Sequence, residues 1–162
     1  MSRHAMLRQR GFTLIEALLV IVVIGVFLAL AAPSFVTFTS GQKVKTASFE
    51  LYSTFAYARS EALKRRADVV VTPVDSDWTK GWTVTTGAET LRTQEALSGI
   101  VTTTTLGTAP LTYRADGRVG ASIAVLIQPQ KGDVSAVNPN RCIQVNFTGL
   151  AKTTSMDGTT CP

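Results

Sequence analysis

The sequence predicts an α+β protein in which one long N-terminal helix packs on an antiparallel β-sheet domain or a small β-sandwich. Two observations lead to this prediction. An apolar run at residues 12–35 continues into a segment at residues 36–66 whose apolar residues recur at helical spacing. From residue 67 to residue 162, short segments rich in β-branched residues alternate with glycine, proline and aspartate. One helix followed by a run of strands is a typical element order of α+β domains.

The first part of the predicted helix is apolar enough to cross a membrane. In residues 12–35 the only charged side chain is that of Glu16, and about 20 apolar residues are enough to span the hydrocarbon core. Residues 1–11 contain three arginines and no acidic residue. Basic residues next to a spanning segment favour the cytoplasmic side. We therefore expect a single pass through a bacterial inner membrane, with the rest of the chain in the periplasm.

The second part of the predicted helix is amphipathic. Six apolar residues follow one another at intervals of three or four and form a stripe along one helical face: Val44, Ala47, Leu51, Phe55, Ala58 and Ala62. Cationic residues at 64–66 end the segment, where the helix dipole favours positive charge. We expect the stripe to pack on the domain that follows.

Seven segments after the helix have the composition of short β-strands. They are residues 69–74, 81–86, 89–94, 100–106, 111–119, 122–128 and 141–147. Threonine, valine and isoleucine are frequent in them, and these residues fit the half-buried surface of a pleated sheet. Seven short strands after one helix, separated by glycine, proline and aspartate, suggest an antiparallel sheet or a small sandwich.

The net charge of +5, from 16 basic and 11 acidic residues, overstates the basic character of the body of the chain. Without the three arginines of residues 1–11, 13 basic residues (16 − 3) remain against 11 acidic ones, a net charge of +2. This small excess argues against the broad electrostatic attraction on which non-specific nucleic-acid binding depends.

The chain has two cysteines, Cys142 and Cys161. An even number of cysteines in an exported domain predicts one disulfide, and a loop of this length gives roughly 3 kcal/mol of stabilisation. The bridge would hold residues 148–162 against the domain and leave a rigid surface for a partner. A zinc site needs more ligands than two cysteines, and the only histidine is His4. No metal or cofactor is expected.

Three interpretations fit the N-terminal segment. The first is a secretory signal peptide, with Ala29-Leu30-Ala31 as a small-x-small cleavage site. The second is a plain membrane anchor. Neither explains Glu16, because a charged side chain at the centre of a bilayer costs about 2.5–3.5 kcal/mol on insertion scales.

The third interpretation rests on RGFTLIE, residues 10–16, followed by the apolar run. This motif resembles the class III signal of type IV pilins and of type II secretion pseudopilins. The resemblance implies that a prepilin peptidase cleaves after Gly11 and that Phe12, the new N-terminus, is methylated. It also implies that Glu16 acts in assembly. In a filament the carboxylate would pair with the amine of a neighbouring subunit, so that neither charge is left alone in apolar surroundings.

Four later segments resemble the GspH/FimT family of minor pilins and pseudopilins: ARSEALKRR (58–66), DWTKGWTV (77–84), YRADGRV (113–119) and IQVNFTG (143–149). The resemblance implies a type IV pilin-like fold. It divides the chain into a cleaved leader at 1–11, a transmembrane and assembly helix at 12–35, its amphipathic continuation at 36–66 and a β-rich periplasmic domain at 67–162. The implied partners are other minor and major pilins, the prepilin peptidase and the inner membrane.

Two functions are open within this family. One is a minor pilin that takes part in initiating type IV pilus assembly and in a tip complex, with a role in DNA uptake during natural transformation. The other is a minor pseudopilin of a type II secretion system. A disulfide-closed C-terminal region is common among the pilus members, which favours the first.

The sequence contains little that an enzyme would need. Residues 12–162 lack histidine, a GxSxG motif and a phosphate-binding loop. Asp75 and Asp77 are close in sequence, but a solvated turn explains them better than a metal loop. We therefore predict a structural protein rather than an enzyme.

DNA binding is the third functional hypothesis, and it comes from the resemblance. DNA-binding members of the family carry a GRxR motif near the C-terminus. Here the matching residues are Gly149-Leu150-Ala151-Lys152, so both arginines are absent. The remaining candidates for DNA contact are Arg114, Arg118, Arg141 and Lys152. With so few cations we expect weak binding that salt removes.

Overall fold

The structure, a computed structural model, describes residues 12–106, 110–130, 140–156, 158 and 161. The chain divides into two compact units, residues 1–35 and residues 36–162. The only α-helix among the described residues is α1, Leu14–Arg65. The hydrophobic core lies in the second unit.

The predicted stripe on the second part of α1 is confirmed. All six of its residues are buried in the core, at 2% exposure or less. Because residues three and four apart lie on the same helical face, this spacing presents one continuous apolar surface to the sheets. Burial of the stripe, rather than helix propensity, is the main source of stability for a helix of this kind.

Eight described strands form two antiparallel sheets of four strands each. The first sheet has the order β3-β2-β1-β5 and contains β1 Val69–Pro73, β2 Trp82–Thr86, β3 Glu89–Gln94 and β5 Leu111–Tyr113. The second sheet has the order β4-β6-β7-β8 and contains β4 Ile100–Leu106, β6 Ile123–Pro129, β7 Asn140–Val145 and β8 Ala151–Met156. Two 3₁₀ turns, Val74–Ser76 and Trp78–Lys80, connect β1 to β2. Both sheets contribute to the same core as α1, so the predicted α+β class is confirmed.

Two strand predictions need correction. The segment 111–119 forms only the three residues of β5 and then a turn, because Arg114 N–H donates to the carbonyl oxygen of Arg118 and Gly117 takes a positive φ of 74°. The predicted C-terminal tail at 148–162 contains β8, which was not predicted as a strand. The sequence of β8, AKTTSM, has no alternation of apolar and polar residues to mark a strand, and none of its six side chains is fully buried.

Aromatic side chains fill the core between the helix and the β1–β2 connection. Phe55 lies edge-on to Trp78 with ring centroids 5.7 Å apart, and Trp78 lies edge-on to Trp82 at 6.0 Å. Edge-to-face pairs at such separations are favourable because the positive ring edge meets the negative face. The Trp82 indole N–H donates to Thr54 Oγ1 at 3.0 Å, and the Thr54 hydroxyl donates to the carbonyl oxygen of Glu50 at 2.8 Å.

Candidate functional site

The N-terminal motif lies at the start of α1. Gly11, the predicted cleavage site, lies outside the described residues, and Phe12 is exposed just before the helix. The Thr13 hydroxyl accepts a hydrogen bond from the backbone N–H of Glu16 at 3.3 Å. Thr13 therefore caps the helix, and the spacing Thr-x-x-Glu is that of a capping box. Glu16 is exposed in the first turn, where the helix dipole favours an acid.

The apolar side chains that follow Glu16 are exposed. Described large apolar side chains from Phe12 to Phe35 lie at 42% exposure or more, and they occur on every side of the helix. A helix that is apolar all round needs a cover other than water. Over the part of the chain that the structure describes, no helix meets the length and hydropathy required to cross a membrane.

The DWTKGWTV segment forms a 3₁₀ turn, held by its own side chains, and the start of β2. Asp77 accepts hydrogen bonds from the Thr79 hydroxyl at 2.7 Å and from the Thr79 backbone N–H at 2.9 Å. The hydroxyl bond is the main reason that the pKa of Asp77 lies below its usual value. Asp75 pairs with Lys80 at 2.9 Å. Across the described residues, no group of three or more His, Cys, Asp or Glu is placed to hold a metal ion.

The ARSEALKRR segment fastens the end of α1 to the first sheet. Arg65 Nε lies 2.6 Å from a carboxylate oxygen of Glu61, and Arg65 Nη1 lies 2.8 Å from a carboxylate oxygen of Glu89 in β3. The hydrogen bond from Arg65 lowers the pKa of Glu61, and the same bond is the main reason that the pKa of Arg65 is raised. Arg65 is thus paired with both carboxylates, and these ion pairs link the end of α1 to β3.

The YRADGRV and IQVNFTG segments pack on each other. The backbone N–H of Val119 donates to the carbonyl oxygen of Phe147 at 3.3 Å, and Arg59 Nε in α1 donates to the carbonyl oxygen of Gly117 at 3.1 Å. Gly149 has a φ of 77°, and a Cβ at this position would overlap the Gly117 carbonyl oxygen. The glycine that ends the family-like segment is therefore required by the close approach of two turns.

The four candidate DNA-contacting residues lie in two places. Arg141 in β7 and Lys152 in β8 line the same groove, together with Lys45 of α1. Arg114 and Arg118 are exposed in the turn after β5 and do not line this groove. The structure thus pairs two of the candidates and adds one cation that the sequence analysis did not select.

The C-terminal segment is held by a disulfide. Cys142 in β7 and Cys161 are bonded, with their Cα atoms 5.6 Å apart. Cys142 is fully buried, as are Ala124 and Leu126 of the neighbouring strand β6, and Leu126 lies opposite Cys142 in the sheet. The amide of Asn140 also donates to the carbonyl oxygen of Gly158 at 3.0 Å. The bridge and this hydrogen bond hold Cys161 and Gly158 at the second sheet, and the bridge leaves from the face of that sheet that points away from the core.

Two features of the structure, the Thr13 cap and the groove at Lys45, were not predicted from the sequence. Thr13 could have been found from its Thr-x-x-Glu spacing, which is a local signal. The helical half of the groove at Lys45 also has a local signal, because the residues that line it follow helical spacing: Lys45, Ser48, Phe49 and Tyr52. The strand half of the groove, at β8, has no such local signal in the sequence.

Family comparisons agree with this geometry. Residues 47–149 match the family described as type II transport protein GspH. The chain belongs to the GspH family. Residues 6–32 match the prokaryotic N-terminal methylation motif. The family prediction made from the sequence is therefore confirmed, and this GspH-family chain is a minor pilin or pseudopilin.

The individual relatives include a fimbrial protein, a type IV minor pilin and a minor pseudopilin of a type 2 secretion system. A "Fimbrial protein" of Pseudomonas aeruginosa is 34% identical over 79 residues, which is 48% of this chain and 51% of that protein. The match thus spans about half the length of this relative. In structure, the chain is similar to the type IV minor pilin FimU of P. aeruginosa, with a TM-score of 0.62, 21% identity and coverage of 72% of this chain and 92% of FimU.

A second structural relative is the minor pseudopilin EpsH from the type 2 secretion system of Vibrio cholerae. The TM-score is 0.53 at 19% identity, with 70% of this chain and 97% of that chain covered. At these identities the two solved structures establish the shared fold, an N-terminal helix packed on antiparallel sheets.

Proposed function

We propose that this GspH-family chain is a minor pilin of a type IV pilus that takes part in assembly initiation and in the tip complex. The main support is the RGFTLIE motif, which leads into the first part of α1, where the described large apolar side chains are exposed on every side. Before assembly the lipid of the inner membrane covers this helix, with the β-rich domain in the periplasm. In the pilus the helices of other minor and major pilins replace the lipid.

Processing gives Glu16 a partner. Cleavage after Gly11 by the prepilin peptidase creates a positive amine on Phe12, which is then methylated. Glu16 lies one helical turn beyond Phe12, and in apolar surroundings it is stabilised only when an opposite charge is close. The N-terminal amine of an adjacent subunit supplies that charge. The carboxylate therefore favours docking in a fixed axial register.

The Thr13 cap suggests a competing explanation, in which Glu16 only stabilises the start of its own helix. Glu16→Gln separates the two, because glutamine keeps capping-box geometry and removes the charge. We expect Glu16→Gln and Glu16→Ala both to be processed normally and both to be depleted from sheared pili. Glu16→Asp, which keeps the charge, is the control and should be incorporated at least in part.

Two results would contradict this proposal. One is normal incorporation of Glu16→Gln together with loss of Glu16→Ala, which would assign Glu16 to helix capping alone. The other is a mature N-terminus at Ala32 in mass spectrometry, which would indicate an ordinary secretory signal. The expected mass is that of a chain beginning with methylated Phe12.

A type II secretion pseudopilin is the second candidate, supported by the GspH family match and the EpsH-like fold. A clean deletion in the source bacterium distinguishes the two. Loss of pili and twitching with normal secretion of exoproteins supports the pilus. Loss of exoprotein secretion with normal piliation supports the secretion system.

DNA binding is the third candidate, supported by the placement of Arg141, Lys152 and Lys45 around one groove. Three phosphate contacts would give a slope of about −2.7 in log affinity against log salt on duplex DNA. We expect weak binding that is lost by roughly 150 mM salt. A salt titration of the domain at residues 36–162 tests this. Micromolar or tighter binding at that salt, abolished by Lys152→Ala or Arg141→Ala, would instead make the chain a DNA-uptake receptor.

A further inference from the structure

The groove that contains Arg141 and Lys152 has a volume of about 600 Å³ and lies between α1 and β8. On the helix it is lined by Lys45, Ser48, Phe49 and Tyr52. On the sheet it is lined by Arg141 of β7 and by residues 151–153 of β8. The helical residues are spaced three, one and three apart, which places them on one face of α1. We call this the α1–β8 groove.

The strand side of the α1–β8 groove is an open sheet edge. Side chains of consecutive strand residues point to opposite faces, so residues 151–153 cannot all border a groove through one face of β8. They border it through the edge of the strand. β8 is the last strand of the second sheet, and among the described residues no strand pairs with its outer edge. Such an edge presents backbone N–H and C=O groups that can pair with another chain.

The charged residues that line the groove in the described part of the chain have one sign. Lys45, Arg141 and Lys152 line it, and none of the described acidic residues does. None of the three forms an ion pair with any described residue. By contrast, Arg65, Lys80 and Arg92 each have an acidic partner. The groove therefore keeps its positive charge available for a ligand.

The helical wall adds apolar contact area. Phe49 is 67% exposed and Tyr52 is 39% exposed. A second groove of about 190 Å³ continues along the helix to Leu63 and shares Tyr52 and Ala151 with the first. From residue 45 to residue 63 the helix rises about 27 Å at 1.5 Å per residue. An extended chain covers that distance with about eight residues at 3.3 Å each.

We propose that the α1–β8 groove binds an extended, acidic segment of a partner protein, which adds to the free edge of β8 as a fifth strand of the second sheet. Backbone pairing with β8 would supply the alignment, and the three cations and two aromatic rings would select acidic and apolar side chains. A second copy of β8 is disfavoured, because its sequence AKTTSM contains no acidic residue to meet the cations of the groove. Duplex DNA fits less well, because an open strand edge and exposed aromatic rings give a phosphate backbone no matching contacts.

The probe is a fluorescein-labelled peptide of eight residues in which pairs of glutamates alternate with pairs of valines, titrated against the full chain purified in mild detergent. This order places glutamates on both faces of the added strand, because Arg141 and Lys152 lie on opposite faces of the sheet. Two matched peptides isolate the two contributions. The first has lysine at every glutamate position and reverses the charge. The second has the acidic sequence with every backbone nitrogen methylated, which keeps the charge but removes the strand-pairing donors. We expect each change to weaken binding by about tenfold or more, the loss of about 1.4 kcal/mol of interaction.

Protein variants test the location of the site. Lys152→Glu, Lys45→Glu and Arg141→Glu should each weaken binding of the acidic peptide by about tenfold. Lys45 and Lys152 are exposed, so those two variants keep the test valid if the half-buried Arg141→Glu fails to fold. Arg114→Glu is the control, because it makes the same charge change at an exposed site outside the groove. Amide hydrogen exchange should slow at alternate residues within 151–156 when the acidic peptide is bound.

Three outcomes would overturn the proposal. The first is that the acidic peptide binds no better than the lysine peptide. The second is that the methylated peptide binds as well as its parent. The third is that amide hydrogen exchange within β8 is unchanged when the acidic peptide is at saturation. A 20-base-pair DNA duplex is titrated in parallel. Binding of the duplex without binding of the acidic peptide would reassign the three cations to nucleic acid.

Discussion

Replacing Thr54 with valine removes the acceptor of the Trp82 indole N–H. Both residues are buried, at 0% and 1% exposure, and the hydrogen bond is 3.0 Å long. Valine has nearly the shape of threonine, so the core keeps its volume while one buried donor loses its partner. An unsatisfied buried donor costs about 1–3 kcal/mol. The additional buried methyl group returns up to about 0.8 kcal/mol of this.

With the full return from the methyl group, the expected net loss in free energy of unfolding is about 0.2–2.2 kcal/mol, with a central value of about 1 kcal/mol. For a chain of this size the central value corresponds to a fall in Tm of roughly 2–4 °C. Urea denaturation of the full chain, followed by tryptophan fluorescence, measures it. Trp78, which also lies in the core, provides a second fluorescent probe when Trp82 is replaced.

A double-mutant cycle tests the mechanism. In a Trp82→Phe background the indole N–H is absent, so Thr54→Val should cost less than about 0.5 kcal/mol. The difference between the two backgrounds is the coupling energy of the hydrogen bond. If Thr54→Val lowers the free energy of unfolding equally in both backgrounds, the unsatisfied indole N–H does not cause the loss. The packing of the Thr54 hydroxyl, or its hydrogen bond to the Glu50 carbonyl oxygen, then accounts for the effect.

Three further predictions concern the same domain. Among the described residues the buried Tyr113 hydroxyl has no hydrogen-bond partner, so Tyr113→Phe should raise stability by up to about 1 kcal/mol in urea denaturation. Burial also raises the pKa of Tyr113 above its ordinary value of 10.0. The Tyr113 hydroxyl therefore ionises at lower pH in the unfolded chain than in the folded chain, and the free energy of unfolding falls as pH rises above 10. In the Tyr113→Phe variant this fall should be less steep. Gly149→Ala should cost about 1–3 kcal/mol, because φ is positive and the Gly117 carbonyl oxygen is too close. Replacing Cys142 and Cys161 together by serine should cost about 2–4 kcal/mol and speed proteolysis after residue 156.

Each of these has a result that would contradict it. A loss of stability in Tyr113→Phe would show that its hydroxyl is satisfied, for example by an ordered water. A neutral Gly149→Ala would mean that the two turns separate without cost. Unchanged urea midpoints in the serine pair would show that hydrogen bonds such as that between Asn140 and Gly158 hold the chain end without the bridge.

Local pattern determined most of the fold. The apolar stripe from Val44 to Ala62 was predicted residue by residue, because helical spacing in the sequence becomes one buried face in the structure. Most strands were predicted from their β-branched composition and from the turn residues between them. In β6 all but one of the seven residues are buried. The N-terminal methylation motif that matches residues 6–32 was predicted because such motifs are contiguous in sequence.

Tertiary structure decided the rest. β8 has no internal apolar pattern, and it is a strand because β7 pairs with it along its whole length. Lys45 and Lys152 are more than a hundred residues apart, yet they line one groove, while Arg114 and Arg118 remain in a separate turn. Local spacing records which face of an element is apolar, since that depends on neighbours three or four residues away. Which elements share an edge depends on how α1 and both sheets close around one core, and no short stretch of sequence records that packing.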